Sequence, residues 1–228
     1  MTLGILTAMS VEYEQLARMM TNAHRVDDGP VSYLEGDIAG KHVVLQQCGI
    51  GKVNAAVGAT LMIRRYHPDY VVSTGVAGGI DPTLSVMDVV VSTRIVYHDV
   101  WCGPGNEYGQ IQGLPLYFEG DQKLVQAATN IPTGVNIVAG LICTGDKFIT
   151  DRAELDAIKS AFPEGMAVDM ESASIAQVCK LLDVPFVSFR IISDTPGADK
   201  HLQQYANFWG DMADRSFHVT KAFIENIA

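Results

Sequence analysis

The sequence predicts an α/β fold: a single domain with a mixed, mostly parallel central sheet and helices on both faces. Three observations predict it. Short apolar runs rich in Val and Ile recur along the chain, with helical patterns between them. Two pairs of strand-like runs are adjacent, which brings antiparallel pairing into the sheet. No linker, low-complexity block or repeat divides the 228 residues, so one domain over 1–228 is expected, long enough for a substantial core.

The elements follow in order. "LGILTA" reads as a short buried strand, and a helix is expected over about 11–20 with Ser10 as its N-cap. "VSYLEGDIAGKHVVLQQCG" reads as two strands around a turn at Ala39 and Gly40. "GKVNAAVGATLMIRRYH" is helical and Pro68 ends it. "DYVVSTG" is a buried strand running into a glycine-rich loop, and "DVVVST" and "RIVYHD" read as two further strands. "DQKLVQAAT" is a helix, "NIVAGLICTG" a strand, "DRAELDAIKSAF" and "ESASIAQVCKLL" helices, and "PFVSFRIIS" a strand. "VDMES" reads as a short link, and a last helix is expected over about 205–226.

Composition excludes several functions. The net charge is −10 with no basic run, so neither a nucleic acid nor an acidic membrane surface is an expected partner. No leader, basic targeting segment or long apolar span is visible, which makes the cytoplasm the expected compartment. Cys48, Cys102, Cys143 and Cys179 have no close sequence partners and read as free thiols. The six histidines are scattered, so neither a metal nor another cofactor is expected.

Open α/β sheets bind ligands beyond the carboxyl ends of their strands. Here those ends are 8–12, 48–51, 74–79, 144–148 and 193–194. "CGIGKVNAA" fails as a phosphate loop, because Walker A needs Ser or Thr where Val53 follows the lysine. "STGVAGGID" lets backbone approach a ligand but is no dinucleotide fingerprint. Glu12 and Glu171 could each serve a helix dipole and Asp194 a cap. Three acids at strand ends or helix starts of one sheet are harder to dismiss together. Arg190, inside an apolar strand, asks for an anionic partner.

The stretches "GILTAMSVE", "GIGKVNAAVGATL", "STGVAGGIDPTL", "YHD", "TGDKFI", "VDMESASIAQVC" and "VPFVSFRIISD" cover nearly the whole chain in order. In this combination the sequence resembles the nucleoside phosphorylase/nucleosidase superfamily, and within it the bacterial 5'-methylthioadenosine/S-adenosylhomocysteine nucleosidases. The resemblance implies a nucleoside phosphorylase-like fold and hydrolysis of the N-glycosidic bond between adenine and a 5'-thio-substituted ribose. It implies catalytic roles for Asp194, the acid that protonates adenine N7, and Glu12, the base for water. Glu171 corresponds to the carboxylate on the ribose hydroxyls, and Met170 packs on the ribose. Phe148 stacks on adenine, the backbone of Ile149 reads the base edge, and Gly78 supplies a backbone contact. Met9 and Ile50 complete the substrate-binding set. Ser193 and Arg190 orient the acid and the carboxylate–water cluster. Asp169, where the family commonly has Glu, is given a supporting role.

Water is favoured over phosphate as acceptor, because Ser73 and Thr74 precede Gly75 where phosphorylases carry an arginine, and the Glu12 carboxylate would repel phosphate. A purine nucleoside phosphorylase and a non-catalytic nucleoside-binding protein are the alternatives. The chain departs from the family at Val76, at Trp101 and Cys102 within a shortened 101–106 segment, and near 201–208, where Tyr205 or Phe208 would replace the aromatic lid residue. These departures concern the 5' end, so 5'-deoxyadenosine and aminodeoxyfutalosine stay open as substrates. The resemblance also implies a homodimer, with the neighbouring subunit closing the 5' pocket between Tyr108 and Pro115.

Overall fold

A computed structural model describes residues 1–195 and 200–228. The chain runs β1 (Thr2–Thr7), α1 (Ser10–Ala17), β2 (Thr21–Asp28), β3 (Val31–Ile38), β4 (Lys41–Gln47), α2 (Lys52–Tyr66) and β5 (Tyr70–Gly79). It continues through β6 (Val89–Tyr97), β7 (Phe118–Glu119), α3 (Gln122–Thr129), β8 (Ile137–Thr144), α4 (Arg152–Ala161), β9 (Gly165–Asp169) and α5 (Ser172–Leu181). It ends with β10 (Phe186–Asp194), α6 (His201–Asn207), a π-helical turn (Phe208–Met212) and α7 (Ala213–Asn226).

All ten strands join one mixed sheet. The pairs β1–β4, β1–β5, β5–β10, β6–β8 and β8–β9 are parallel. The pairs β2–β3, β3–β4, β5–β9, β6–β7 and β6–β10 are antiparallel. Antiparallel pairing therefore has a larger share than the sequence suggested, because hairpins join β2, β3 and β4 and two short strands return along longer ones. Neighbours β5, β10, β6, β8 and β9 lead back to β5, which closes a ring, and β1 to β4 extend from its side.

Helices cover both faces, as expected. One face packs Leu6, Val44 and Val71 under Ala55, Ala59 and Met62 of α2 and Ile175 and Ala176 of α5. The other packs Ile5, Val72 and Phe189 under Leu16 of α1, Leu124 of α3 and Phe217 and Phe223 of α7. Phe189 and Phe223 stack with ring centroids 4.8 Å apart, and each buried aromatic of this kind contributes about 2–3 kcal/mol of transfer free energy. Asp121 caps α3 and Asp151 caps α4 by accepting backbone N–H bonds.

Several sequence expectations change. β5 does not stop at a glycine loop. It runs through Gly79, because its glycines admit close neighbours: a Cβ at Gly79 would lie 2.9 Å from Ile192 Cγ2. Of "VDMES", Met170 and Glu171 form the expected link ahead of α5, while Val168 and Asp169 end β9 (Gly165–Asp169), which lies between β8 and β5. The two strands expected over 88–99 are one, β6, with a register shift between Ser92 and Arg94. β2 is an exposed polar edge strand that shows no apolar alternation. Met9, not Ser10, occupies the N-cap of α1, and the last helical stretch begins at His201 and contains a π turn.

Candidate active site

Glu12 sits in the first turn of α1 and is almost fully buried. Its Oε2 accepts the N–H groups of Ala8 and Met9, both at 3.0 Å, and its Oε1 accepts Val76 N–H at 2.9 Å. The turn after β1 and the body of β5 thereby grip one carboxyl. Gly75 makes this possible, because a Cβ there would lie 2.3 Å from Glu12 Oε1 and 2.9 Å from Arg190 Nη1. Burial raises the Glu12 pKa, while Arg190 and the three backbone donors pull it down, and burial prevails. Val76 serves through its backbone N–H, so its side chain takes nothing from this contact.

Behind Glu12 lies Arg190, the largest fully buried side chain among the described residues, extending from β10. Its Nε is 2.8 Å from Asp169 Oδ2, its Nη2 donates to Ser73 Oγ at 2.8 Å, and the same Nη2 is 3.7 Å from Glu171 Oε2. Burial opposes the guanidinium charge, but Asp169, Glu171 and Glu12 outweigh it and raise its pKa. Asp169 also accepts from Thr144 Oγ1 at 2.6 Å and from Ser172 Oγ. Every oxygen of Asp169 is thus committed to holding Arg190 and its surroundings, a supporting place in the geometry.

Glu171 precedes α5, and its Oε1 accepts Gly51 N–H at 2.9 Å. Burial, with repulsion from Asp169 and Glu12, pushes its pKa up to about 7 against the pull of Arg190 and Gly51. One cation serves three carboxyls in the cluster, and that imbalance favours a bound proton.

Asp194 closes β10. Its Oδ1 accepts from Ser193 Oγ at 2.8 Å, and its buried Oδ2 has no hydrogen-bond partner among the described residues. Burial raises its pKa, opposed by Ser193 and by His201. A buried carboxyl with one open oxygen is suited to carry a proton and present it to a ligand. The strand shifts register by one residue between Ile192 and Asp194 relative to β5, which aims this side chain.

These groups surround a cavity of about 430 Å3. Glu12, Glu171, Asp194, Gly78, Phe148, Ile149, Met170, Ser193, Met9 and Ile50 all line it. Arg190 does not: it is buried behind the wall and reaches the cavity through the carboxylates it holds. Lys147, inside the strand end expected at 144–148, and Val168 also line the cavity, though the sequence singled out neither by itself. Of the two aromatic candidates near 201–208, Tyr205 lines the cavity, its ring 5.6 Å from that of Phe148, while Phe208 is in the core. Trp101 and Cys102 are exposed and do not line the cavity. Among the described residues no group of His, Cys, Asp and Glu is arranged to hold a metal ion.

A mixed sheet with a carboxylate-lined cavity at its strand ends defines the class, and the family follows. The chain belongs to the phosphorylase superfamily, whose model matches residues 2–225. It is 40% identical over 206 residues, 89% of each chain, to a 5'-methylthioadenosine/S-adenosylhomocysteine nucleosidase of Anoxybacillus flavithermus. The corresponding Bacillus subtilis nucleosidase is 39% identical over the same length and coverage. Among solved structures, the nucleosidase of Colwellia psychrerythraea in complex with adenine has a TM-score of 0.93 at 36% identity, covering 100% of this chain and 96% of that one. The Neisseria meningitidis nucleosidase in complex with methylthio-immucillin-A has a TM-score of 0.92 at 38% identity and covers 98% of both.

Proposed function

We propose that the protein is an N-glycosyl hydrolase that cleaves 5'-methylthioadenosine and S-adenosylhomocysteine to adenine and a 5-thio-substituted ribose. The nucleosidases it resembles over nearly their full length support this reaction. The observation that carries the assignment of groups is the convergence of Glu12, Glu171 and Asp194, from three different elements, on one cavity.

In this reading the C1'–N9 bond breaks as a water oxygen bonds to C1'. Asp194, protonated, donates its proton to adenine N7 and relieves the charge on the leaving base. Glu12, ionised and held by its three backbone donors, accepts the proton that water releases. Glu171 takes the ribose hydroxyls and opposes the positive charge that grows on the sugar. Phe148 and Tyr205 frame the base, and Met170 packs on the ribose. Arg190 keeps the carboxylates in place from behind.

Water is the acceptor. A phosphate would need a cation at the cavity wall, and Arg190 is consumed by Asp169 and Ser73. Lys147, the cation among the described lining residues, is paired with Glu154. The test is adenine release from 5'-methylthioadenosine with and without inorganic phosphate. Equal rates and free 5-methylthioribose are expected; strict phosphate dependence with a sugar 1-phosphate product would reject the proposal.

A homodimer whose second subunit closes the 5' end near Tyr108 and Pro115 is part of the same proposal. It is supported by the exposure of Ile50 at the cavity mouth, Val53 and Val57 on α2, and Trp101 and Tyr108. Sedimentation at twice the chain mass is expected. A cytoplasmic location fits the free cysteines, and no helix among the described residues is long and apolar enough to cross a membrane.

A further inference from the structure

We propose that Lys52, Asp99 and Asp146 form a positioning device that sets the Gly51 N–H against Glu171 and fixes the 145–149 segment by the same set of bonds. The inference rests on the reading of the site given above. Gly51 and Lys52 are adjacent, and their backbone N–H groups point to two different carboxyls. Gly51 donates to Glu171 Oε1 at 2.9 Å, and Lys52 donates to Asp146 Oδ1 at 2.7 Å. Asp146 sits tightly on this turn, since a Cβ at Gly51, whose φ is +93°, would lie 3.0 Å from Asp146 Oδ1.

Asp146 is itself held. Its N–H donates to Asp99 Oδ2 at 2.8 Å, and that oxygen also accepts Lys52 Nζ at 2.7 Å. The ammonium lies 3.9 Å from Asp146 Oδ2 and 5.4 Å from the Tyr97 ring centroid. One cation is therefore shared by two carboxylates under an aromatic ring. On the other side of Asp146, the Gly145 N–H donates to the Asp169 carbonyl at 3.1 Å. The bonds thus pass from Glu171 through Gly51, Lys52, Asp146 and Gly145 back to Asp169, two residues before Glu171. The segment that carries Phe148 and Ile149 is built into this circuit.

The device acts through geometry rather than through energy. Its side chains are partly exposed, and such ion pairs contribute little to folding one by one. A shift of Asp146, however, moves two consecutive N–H groups, one of which sets the ribose carboxylate, and misplacement by about 1 Å can cost about 100-fold in rate. Lys52, Asp99 and Asp146 touch no reacting atom; they are positioning residues.

The experiment measures kcat and KM for adenine release from 5'-methylthioadenosine by the full chain. The variants are Asp146→Ala, Asp146→Asn and Lys52→Met, each also made in a Glu171→Ala background. Asp146→Ala should lower kcat/KM about 10-fold, and Asp146→Asn, which keeps the oxygen for Lys52 N–H, should recover it to within about 3-fold. Lys52→Met should lower it about 3-fold. In Glu171→Ala each loss should shrink, because the acceptor of the Gly51 N–H is gone. Wild-type kcat/KM in Asp146→Ala, no recovery in Asp146→Asn, or equal losses in both backgrounds would overturn the inference. If circular dichroism shows Asp146→Ala unfolded, Lys52→Met in the two backgrounds decides by the same criterion. A wild-type protein that releases no adenine would reject the reading of the site instead.

Discussion

Glu12 and Asp194 are both buried carboxyls on one cavity, and their surroundings differ in a way that separates two jobs. Glu12 accepts three backbone N–H bonds and faces Arg190. These donors favour the ionised form, while burial still leaves its pKa raised, which suits the proposed acceptor of a proton. Among the described residues Asp194 accepts one hydroxyl and leaves one oxygen open. Ser193 and His201 favour its charge, but burial outweighs them, which suits the proposed proton donor. The comparison teaches that burial alone does not define a role; the number and kind of donors on each oxygen does.

The largest expected effect comes from breaking the acceptor side. Glu12→Gln removes the base and turns an amide NH2 toward backbone N–H groups, so kcat should fall about 1,000-fold in an adenine-release assay. A fall under about 10-fold would remove Glu12 from its role. Asp194→Asn comes next. It should slow turnover by about 100-fold or more while binding of the nucleoside, followed by calorimetry, is preserved; an unchanged rate would take the acid's role from Asp194.

The smallest effect sharpens the contrast through a third carboxyl. Glu171 is raised in the folded chain from 4.5 to about 7, so the native state binds more protons there than the unfolded chain. Its contribution is full below pH 4.5 and is lost as pH rises through about 7. Unfolding free energy from urea titrations should therefore decline between these values, and the decline should be shallower in Glu171→Gln. An identical slope in both proteins would contradict the assigned environment.

Much of the fold was legible in the sequence, and the failures have physical causes. Strands such as Thr2–Thr7 and Phe186–Asp194 announce themselves because burial on both faces demands mostly apolar residues. β2 is an edge strand of mostly exposed polar residues, so no periodicity marks it. β9 is five residues long and ends in Asp169, whose charge is matched by Arg190 of β10, beyond an intervening helix. The candidate site was legible mainly through ordered family motifs, because spacing does not tell that Glu12 and Val76 meet. Lys52, Asp99 and Asp146 were passed over for the same reason: 47 residues or more separate Asp99 from its two partners, and each alone reads as a surface charge.

The single residue by which β10 outruns β5 between Ile192 and Asp194 has a wider meaning. Along a strand, parity decides which side a group serves, so an acid can be kept in the polypeptide and still be withdrawn from duty by losing one neighbour. When distant members of the superfamily are compared, an aligned aspartate is therefore poor proof of shared chemistry. The count of residues leading up to it has to agree as well.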